Sequence, residues 1–295
     1  MKRIITIFPL LVFALILTSC QDDEARPSEE TTEFTNFIVD DSENGQTNLP
    51  NFGEDVTTDI HDHVVDHSIN MEELEEVTLR HPDGTKQNRF LAGGDVALTA
   101  EEIDLINSTL LAGEKQYRTN NLVSQNRTIS VIGYTGSGYN LTNKMRTALQ
   151  WAVNNYNALN LTLSFSLSFQ ASTNADIVVY RNINNNGAGG VAGFPSGGNP
   201  YKWVQIYNGM ESYNTNTNEH VITHEIGHCL GLRHTDWFSR QSCGQSGESA
   251  GSDGANHIPG TPTGFDPNSV MLACFSSNED GEFDNYDRIA LRYIY

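Results

Sequence analysis

The sequence predicts an α+β fold for residues 121–295 of this 295-residue chain, and three observations carry that class. Between Thr128 and Arg181 the pattern of apolar residues reads strand, helix, strand, strand. A metal-ligand helix follows, with His224, Glu225 and His228 in H-E-x-x-H spacing, then Gly231 and His234 at further fixed offsets. After a long stretch rich in Gly, Ser, Pro and Asn, helical spacing returns over Asp284 to Ile294. The length suits one such domain behind shorter leading pieces.

Residues 1–19 read as a signal peptide. Lys2 and Arg3 precede an apolar run from Ile4 to Leu17, too short to cross a bilayer comfortably. Leu17-Thr18-Ser19-Cys20 resembles a bacterial lipobox, which implies a lipid on Cys20 and a place on the bacterial outer membrane or cell surface. Residues 20–60 form an acidic linker with few large apolar residues. The net charge is −20, but residues 21–76 hold 18 of the 37 acidic residues against one basic residue, Arg26. No basic patch is visible, so a nucleic-acid partner is not expected. Asp59, His61, His63 and His67 fit a solvated acidic helix better than a metal cluster.

Residues 61–120 recover apolar character and read as a pro-segment. Met71, Leu74 and Val77 suit a short helix, and Ile103, Ile106 and Leu110 suit another behind a Thr99–Glu102 capping box. Between them, Gly93-Gly94-Asp95 has the composition of a turn.

The main domain is expected to begin between Asn120 and Thr128. Thr128 to Tyr134 alternates as a strand. Thr142 to Leu159 places Met145, Leu149, Ala152, Val153 and Tyr156 on one helical face. Leu161 to Phe169 alternates apolar residues with Thr and Ser, a half-buried strand, and Asp176 to Arg181 is a continuous apolar run that fits a central strand. Asn184 to Asn199 reads as a Gly/Asn loop too flexible for the core, with carbonyl and Asn oxygens that could bind Ca²⁺. Tyr201 to Tyr207 alternates again.

Asn218 is placed as the cap of the metal helix, with Ile222, Ile226, Cys229 and Leu230 on its buried side. His224 and His228, four apart, share one face and can hold one ion. Glu225 is placed to reach a water rather than the metal. Gly231 ends the helix in the left-handed conformation, and the turn returns His234 as third ligand. Three imidazoles with one open position suit catalytic Zn²⁺, since structural zinc sites are closed by four protein ligands. Ser239 to Asn268 is loop. The last helix is expected to turn Ile289, Ala290, Tyr293 and Ile294 inward. Cys243 and Cys274 both lie in the loop-rich part and are the favoured disulfide pair, although spacing does not fix connectivity; Cys229 reads as a buried thiol.

The extended motif resembles the metzincin signature, and the string His224-Glu225-Ile226-Gly227-His228 resembles the bacterial dual-action HEIGH metallopeptidases. The resemblance implies a twisted, mostly parallel sheet with an antiparallel edge strand, a long backing helix, an active-site helix, a Met-turn and a C-terminal helix. Ala175-Asp176-Ile177 is similar to a matrixin segment. Ser269-Val270-Met271 resembles the Met-turn, with Met271 packed beneath the metal histidines; Ala273 stands where some relatives carry a tyrosine ligand. The strand before the metal helix, Tyr201 to Tyr207, is implied to be the sheet edge that pairs with an extended substrate. Phe90 to Asp95 is similar to the aspartate switch of astacin pro-segments, implying that Asp95 takes the zinc position needed by water and that the pro-segment lies along Tyr201 to Tyr207. Activation would then require a cut within Gly113 to Arg127, where Lys115, Arg118 and Arg127 are offered.

The activity implied is zinc-dependent endopeptidase action on proteins or peptides, with Glu225 as general base, by a monomer made as a zymogen. The alternative is a surface-anchored binding or adhesion protein on the same scaffold, against which the intact Glu225 counts.

Overall fold

The computed structural model describes residues 75–100, 116–244, 247, 254–261 and 266–295, all within one of the chain's two compact units, Glu33–Tyr295. The readings at Cys20, residues 1–60, Asp59 to His67, Met71, Leu74 and Ile103 to Leu110 lie outside the described residues.

The leading part is an antiparallel meander of β1 (Glu75–Arg80), β2 (Lys86–Ala92) and β3 (Val96–Leu98). Val77 was expected in a helix and lies in β1 instead. Val77 and Leu79 are buried while Thr78 and Arg80 face outward, so the period is two. An Asp-Gly turn closes the hairpin: Asp83 Oδ1 accepts from Thr85 N at 2.9 Å and Gly84 takes φ +85°.

β4 (Tyr117–Arg118) comes next and pairs with β10 (Asn256–His257), far along the chain. Thr119 N donates to Gly231 O, Arg233 N to Tyr117 O, and the Gln116 side chain to Asp287. Residues 116–119 are therefore hydrogen-bonded to strands and loops that lie far beyond Asn120 in the chain. Arg118 lies in β4 and Arg127 opens β5, where it pairs with Asp176 at 2.8 Å. Neither is the free loop cation expected for activation.

The main sheet has the order β6-β5-β7-β9-β8. Its strands are β5 (Arg127–Tyr134), β6 (Leu163–Gln170), β7 (Ile177–Asn182), β8 (Gly190–Val191) and β9 (Trp203–Tyr207). All pairings are parallel except β8 against β9. The chain thus has a mostly parallel sheet with an antiparallel outer strand. The expectation that residues 201–207 form the edge is corrected: β9 is flanked on both sides, and β8 lies outside it. β8 arises within the supposedly flexible Gly/Asn loop, where Ala188 to Pro195 are buried. Asn185 and Asn186 hold that loop, accepting from Gly187 N and the Asn208 side chain.

Helix α1 (Asn143–Ala158) connects β5 to β6 and buries Met145, Leu149, Ala152, Val153 and Tyr156; the Thr142 side chain caps it. It packs on α2 (Thr215–Leu230), which is buried nearly all round. The cap of α2 is Asn214, one turn earlier than expected. Asn218 sits inside the helix, its Nδ2 donating to the carbonyls of Met210 and Asn214. Helix α3 (Asn285–Ile294) is capped reciprocally by Asp284 and Asp287. Asp287, Ala290, Leu291 and Ile294 face inward, whereas Tyr293 is exposed, correcting the expected inward face.

Candidate metal centre

The histidines converge because α2 ends where it does. His224 and His228 are one turn apart on α2, and Gly231 follows at φ +101°, a conformation that costs glycine little. The reversed chain carries His234 back, and the three ring centroids lie 4.6, 4.9 and 5.2 Å apart. Asp95, reached from the β2–β3 turn, is the fourth member: ligand atoms of Asp95, His224, His228 and His234 all lie within 4.8 Å of one another.

Second partners fix the ring orientations. His224 Nδ1 donates to Val270 O at 2.9 Å and His228 Nδ1 to Leu232 O at 2.8 Å. A carbonyl only accepts, so each Nδ1 carries the proton and each Nε2 presents a lone pair. His228 Nε2 faces His234 Nε2 at 3.2 Å, and Asp95 Oδ2 lies 2.9 Å from His234 Nε2 and 3.4 Å from His224 Nε2. Electron-rich atoms facing one another in a buried space call for a cation between them. The orphaned Asp95 Oδ1 and His224 Nε2 add to that demand. The set fits a divalent metal, and three imidazoles with a carboxylate suit zinc best.

Glycines admit the neighbouring groups. A Cβ on Gly227 would stand 2.5 Å from Met271 Sδ, so this glycine lets Met271 pack against the metal helix. A Cβ on Gly190 would stand 2.9 Å from Glu225 Oε1, so β8 leaves room for Glu225. Glu225 is buried and its Oε2 has no partner. Burial, then the charge of Asp95, hold its carboxyl well above the usual carboxylate range. Burial alone would raise Asp95 as well, but the imidazoles that face it, His234 first, hold it well below the usual carboxylate range. Burial, with the other two imidazoles, lowers His228.

Several organising residues gave no signal in the sequence. Asp287 accepts from Ser269 Oγ, Val270 N, Asp284 N and Gln116 Nε2, fixing the turn that holds His224 and Met271. Asp236 accepts from Ser242 and Ala273 on either side of the Cys243–Cys274 disulfide, while Cys229 is a buried free thiol. Isolated Asp residues carry no spacing signature. Only the adjacency of Asp236 to the motif was visible.

The docked meander holds Asp95 in place. Ala97 N donates to Ala192 O at 2.8 Å and Ala192 N to Asp95 O at 3.0 Å, extending the outer edge of the sheet. The pairing expected along residues 201–207 is therefore made by Ala192, just past β8. Those residues receive side chains instead: His81 stacks on Trp203 with centroids 4.3 Å apart, and Gln87 accepts from Tyr201 Oη at 3.3 Å. Arg240 donates to Gly93 O at 3.0 Å.

A buried set of three imidazoles, two on an H-E-x-x-H helix and one from the turn after it, beside a mostly parallel sheet, marks a metallopeptidase domain. The chain belongs to the dual-action HEIGH metallo-peptidase family, whose profile matches residues 90–295. No curated protein sequence matches it. Two solved structures of myroilysin are similar at low identity. One has 15% identity and a TM-score of 0.36, covering 56% of this chain and 78% of that one; the other has 16% and 0.37, covering 63% and 93%.

Proposed function

We propose that this protein is a zinc-dependent endopeptidase of metzincin architecture, made as a lipid-anchored zymogen in which Asp95 blocks the centre. The observation that carries the reading is the fixed outward Nδ1 bonding of His224 and His228, which turns their Nε2 atoms toward His234 and Asp95, with the Glu225 carboxyl, its Oε2 without a partner, beside them. His224, His228 and His234 would hold the zinc. Zinc, when bound, supplies Lewis acidity for the scissile carbonyl and an acidified water. Glu225 takes the water's proton at its carboxylate and returns it to the leaving amide nitrogen. The space vacated when residues 95–97 leave Ala192 offers a substrate strand the hydrogen bonds they now use.

Residues 1–19 are assigned to the signal peptide, 20–60 to the linker, the meander and its flanks to the pro-segment, and the part from Gln116 on to the peptidase. Cys20 is proposed to anchor the chain at the outer membrane or cell surface. A cut ahead of Gln116, at Lys115, would free the peptidase from that anchor unless the meander stays docked. Mass spectrometry of the mature N-terminus should find a lipidated cysteine, and an unmodified start beyond residue 20 in fresh membranes would refute the anchor.

The metal and the base should be separable. His228→Ala should lose zinc, whereas Glu225→Ala should keep it and lower cleavage of unstructured protein by about 10²–10⁴-fold. Wild-type turnover in Glu225→Ala, or activity indifferent to chelator, would refute the mechanism.

A further inference from the structure

An open cleft lies where α1, α2 and the chain leading into α3 meet. It has a volume of about 380 Å³, and its lining includes Trp151 and Asn155 of α1, Glu219 of α2, and Asp280 and Glu282 ahead of α3. Five residues separate Glu219 from His224, a turn of roughly 140° about the helix axis. The cleft and the metal centre therefore use different faces of α2, and no residue of the meander lines the cleft.

The cleft is built around Glu219, which is 4% exposed. A Cβ on Gly281 would stand 2.2 Å from Glu219 Cγ, so this glycine lets residues 280–282 close on the carboxylate. Asn155 Nδ2 ties the two together, donating to Glu219 Oε1 at 2.9 Å and to Gly281 O at 3.2 Å. His220 Nδ1 holds the same segment from α2, donating to Asp280 O at 2.9 Å. Glu219 Oε2 takes no hydrogen bond from the described residues. Burial, with the charges of Glu282 and then Asp280, raises the Glu219 carboxyl to about 7, against the bond from Asn155. None of the three acids forms an ion pair among the described residues. A buried carboxylate beside two like charges lacks a counter-charge.

The shape of the cleft decides which cation fits. Among the described residues, only Asp95, His224, His228 and His234 gather their ligand atoms within 4.8 Å of one another. The three acids of the cleft are too spread to share one metal ion. A guanidinium is matched to spread acceptors, because it presents five donors in one plane. Trp151, 39% exposed, offers an indole face at the cleft, and such faces attract cations, arginine more often than lysine. The volume admits a long side chain, since one water needs only ~10–15 Å³.

We propose that this cleft is a binding site for an arginine side chain carried on an exposed basic segment of a protein ligand, with Glu219 as the buried counter-charge and Trp151 as the stacking surface. Free arginine is the poorer ligand, because the same three acids repel its α-carboxylate. The assignment does not depend on the peptidase reading.

The experiment uses the full chain at low ionic strength. Acetyl-Gly-Arg-Gly-amide is titrated by calorimetry, beside the same peptide with lysine or with citrulline in place of arginine, and beside free arginine. Citrulline keeps the shape without the charge and should bind at least about tenfold more weakly, lysine about threefold more weakly, and free arginine more weakly than the arginine peptide. Glu219→Gln should weaken the arginine peptide by about tenfold or more, and Trp151→Ala by about two- to fivefold. If Glu219→Gln does not fold, the exposed pair Asp280→Asn with Glu282→Gln carries the test and should weaken binding severalfold. Equal binding of the arginine and citrulline peptides would overturn the proposal, as would unchanged binding in the variant that folds. Tighter binding of free arginine would overturn the assignment to a protein ligand. Calcium that displaces the arginine peptide at an equal concentration would give the cleft to a metal ion and overturn it as well.

Discussion

The docked meander and the peptidase body differ in where their cores lie. The body encloses its own: Ile129, Leu149, Tyr156, Ile177, Ile206, Ile222 and Ile226 pack among themselves between the sheet and two helices. Among the described residues the meander shows no core cluster of its own. Val77, Leu79, Leu91 and Ala97 complete their burial only against Val191 and Tyr207 of the body. Its polar anchors also reach across, His81 to Tyr180 Oη at 2.9 Å and Asp95 to His234. A part that depends on its neighbour for burial is expected to open at a lower free energy than one with its own core. His224 and His228 are oriented from within the body, by Val270, which Asp287 fixes, and by Leu232.

Substitution at Asp287 should produce the larger effect, and it should fall on the body. Asp287→Ala leaves buried donors from Ser269, Val270 and Gln116 without an acceptor, which costs about 3 kcal/mol. Thermal unfolding should fall by roughly 6–12 °C, with weaker zinc retention. An unchanged midpoint would show that the turn under His224 is held by something else.

The difference between these regions was unevenly legible in the sequence. α1 and the metal motif were plain, because a one-sided apolar stripe and a fixed ligand spacing leave direct traces. Gly231 was placed by the helix end that the motif requires, and Met271 by its resemblance to the Met-turn. β8 was not, because two residues in a Gly/Asn run carry no alternation, and its burial comes from β9 and the meander. Val77 was read as helical because Met71, Leu74 and Val77 are spaced three apart, whereas Val77 and Leu79 obey a period of two once Tyr207 packs against them. The α2 cap was missed by one turn because Asn214 and Asn218 both suit the role, and only burial separates them. Glu219 was silent because one glutamate on a buried helix has no pattern around it.

A pH series should separate the meander from the body. Burial lowers His81 from 6.5 to about 4, opposed by its bond to Gln87 and by Asp83 and assisted by Arg89; Tyr180 and Trp203 face the ring, and Lys202 lies over Trp203. An undocked His81 binds a proton below pH 6.5, while the docked one resists until about 4. Docking is thus at full strength above 6.5 and is lost as pH falls through that window, by about 2 kcal/mol at pH 5. Hydrogen exchange over residues 77–98 should quicken at pH 5 relative to 7.5, and His81→Phe should lose most of that difference. The same pH response in both proteins would contradict the role of His81.

The smallest effect is expected at Tyr201. Tyr201→Phe removes the 3.3 Å bond to Gln87 and should weaken docking by only about 0.5 kcal/mol, visible as slightly faster exchange in β2 and no change in the body. A large loss of body stability would mean that the two regions share more than their interface.

Activity against one unstructured protein substrate tests the central claim most directly, comparing the full chain, Asp95→Ala and Asp95→Ala with Glu225→Ala, each with and without chelator. The account predicts low activity in the first, raised and chelator-sensitive activity in the second, and near-complete loss in the third. Equal activity in the full chain and Asp95→Ala would contradict the block at the metal centre. Activity that survives Glu225→Ala or the chelator would contradict the peptidase mechanism itself.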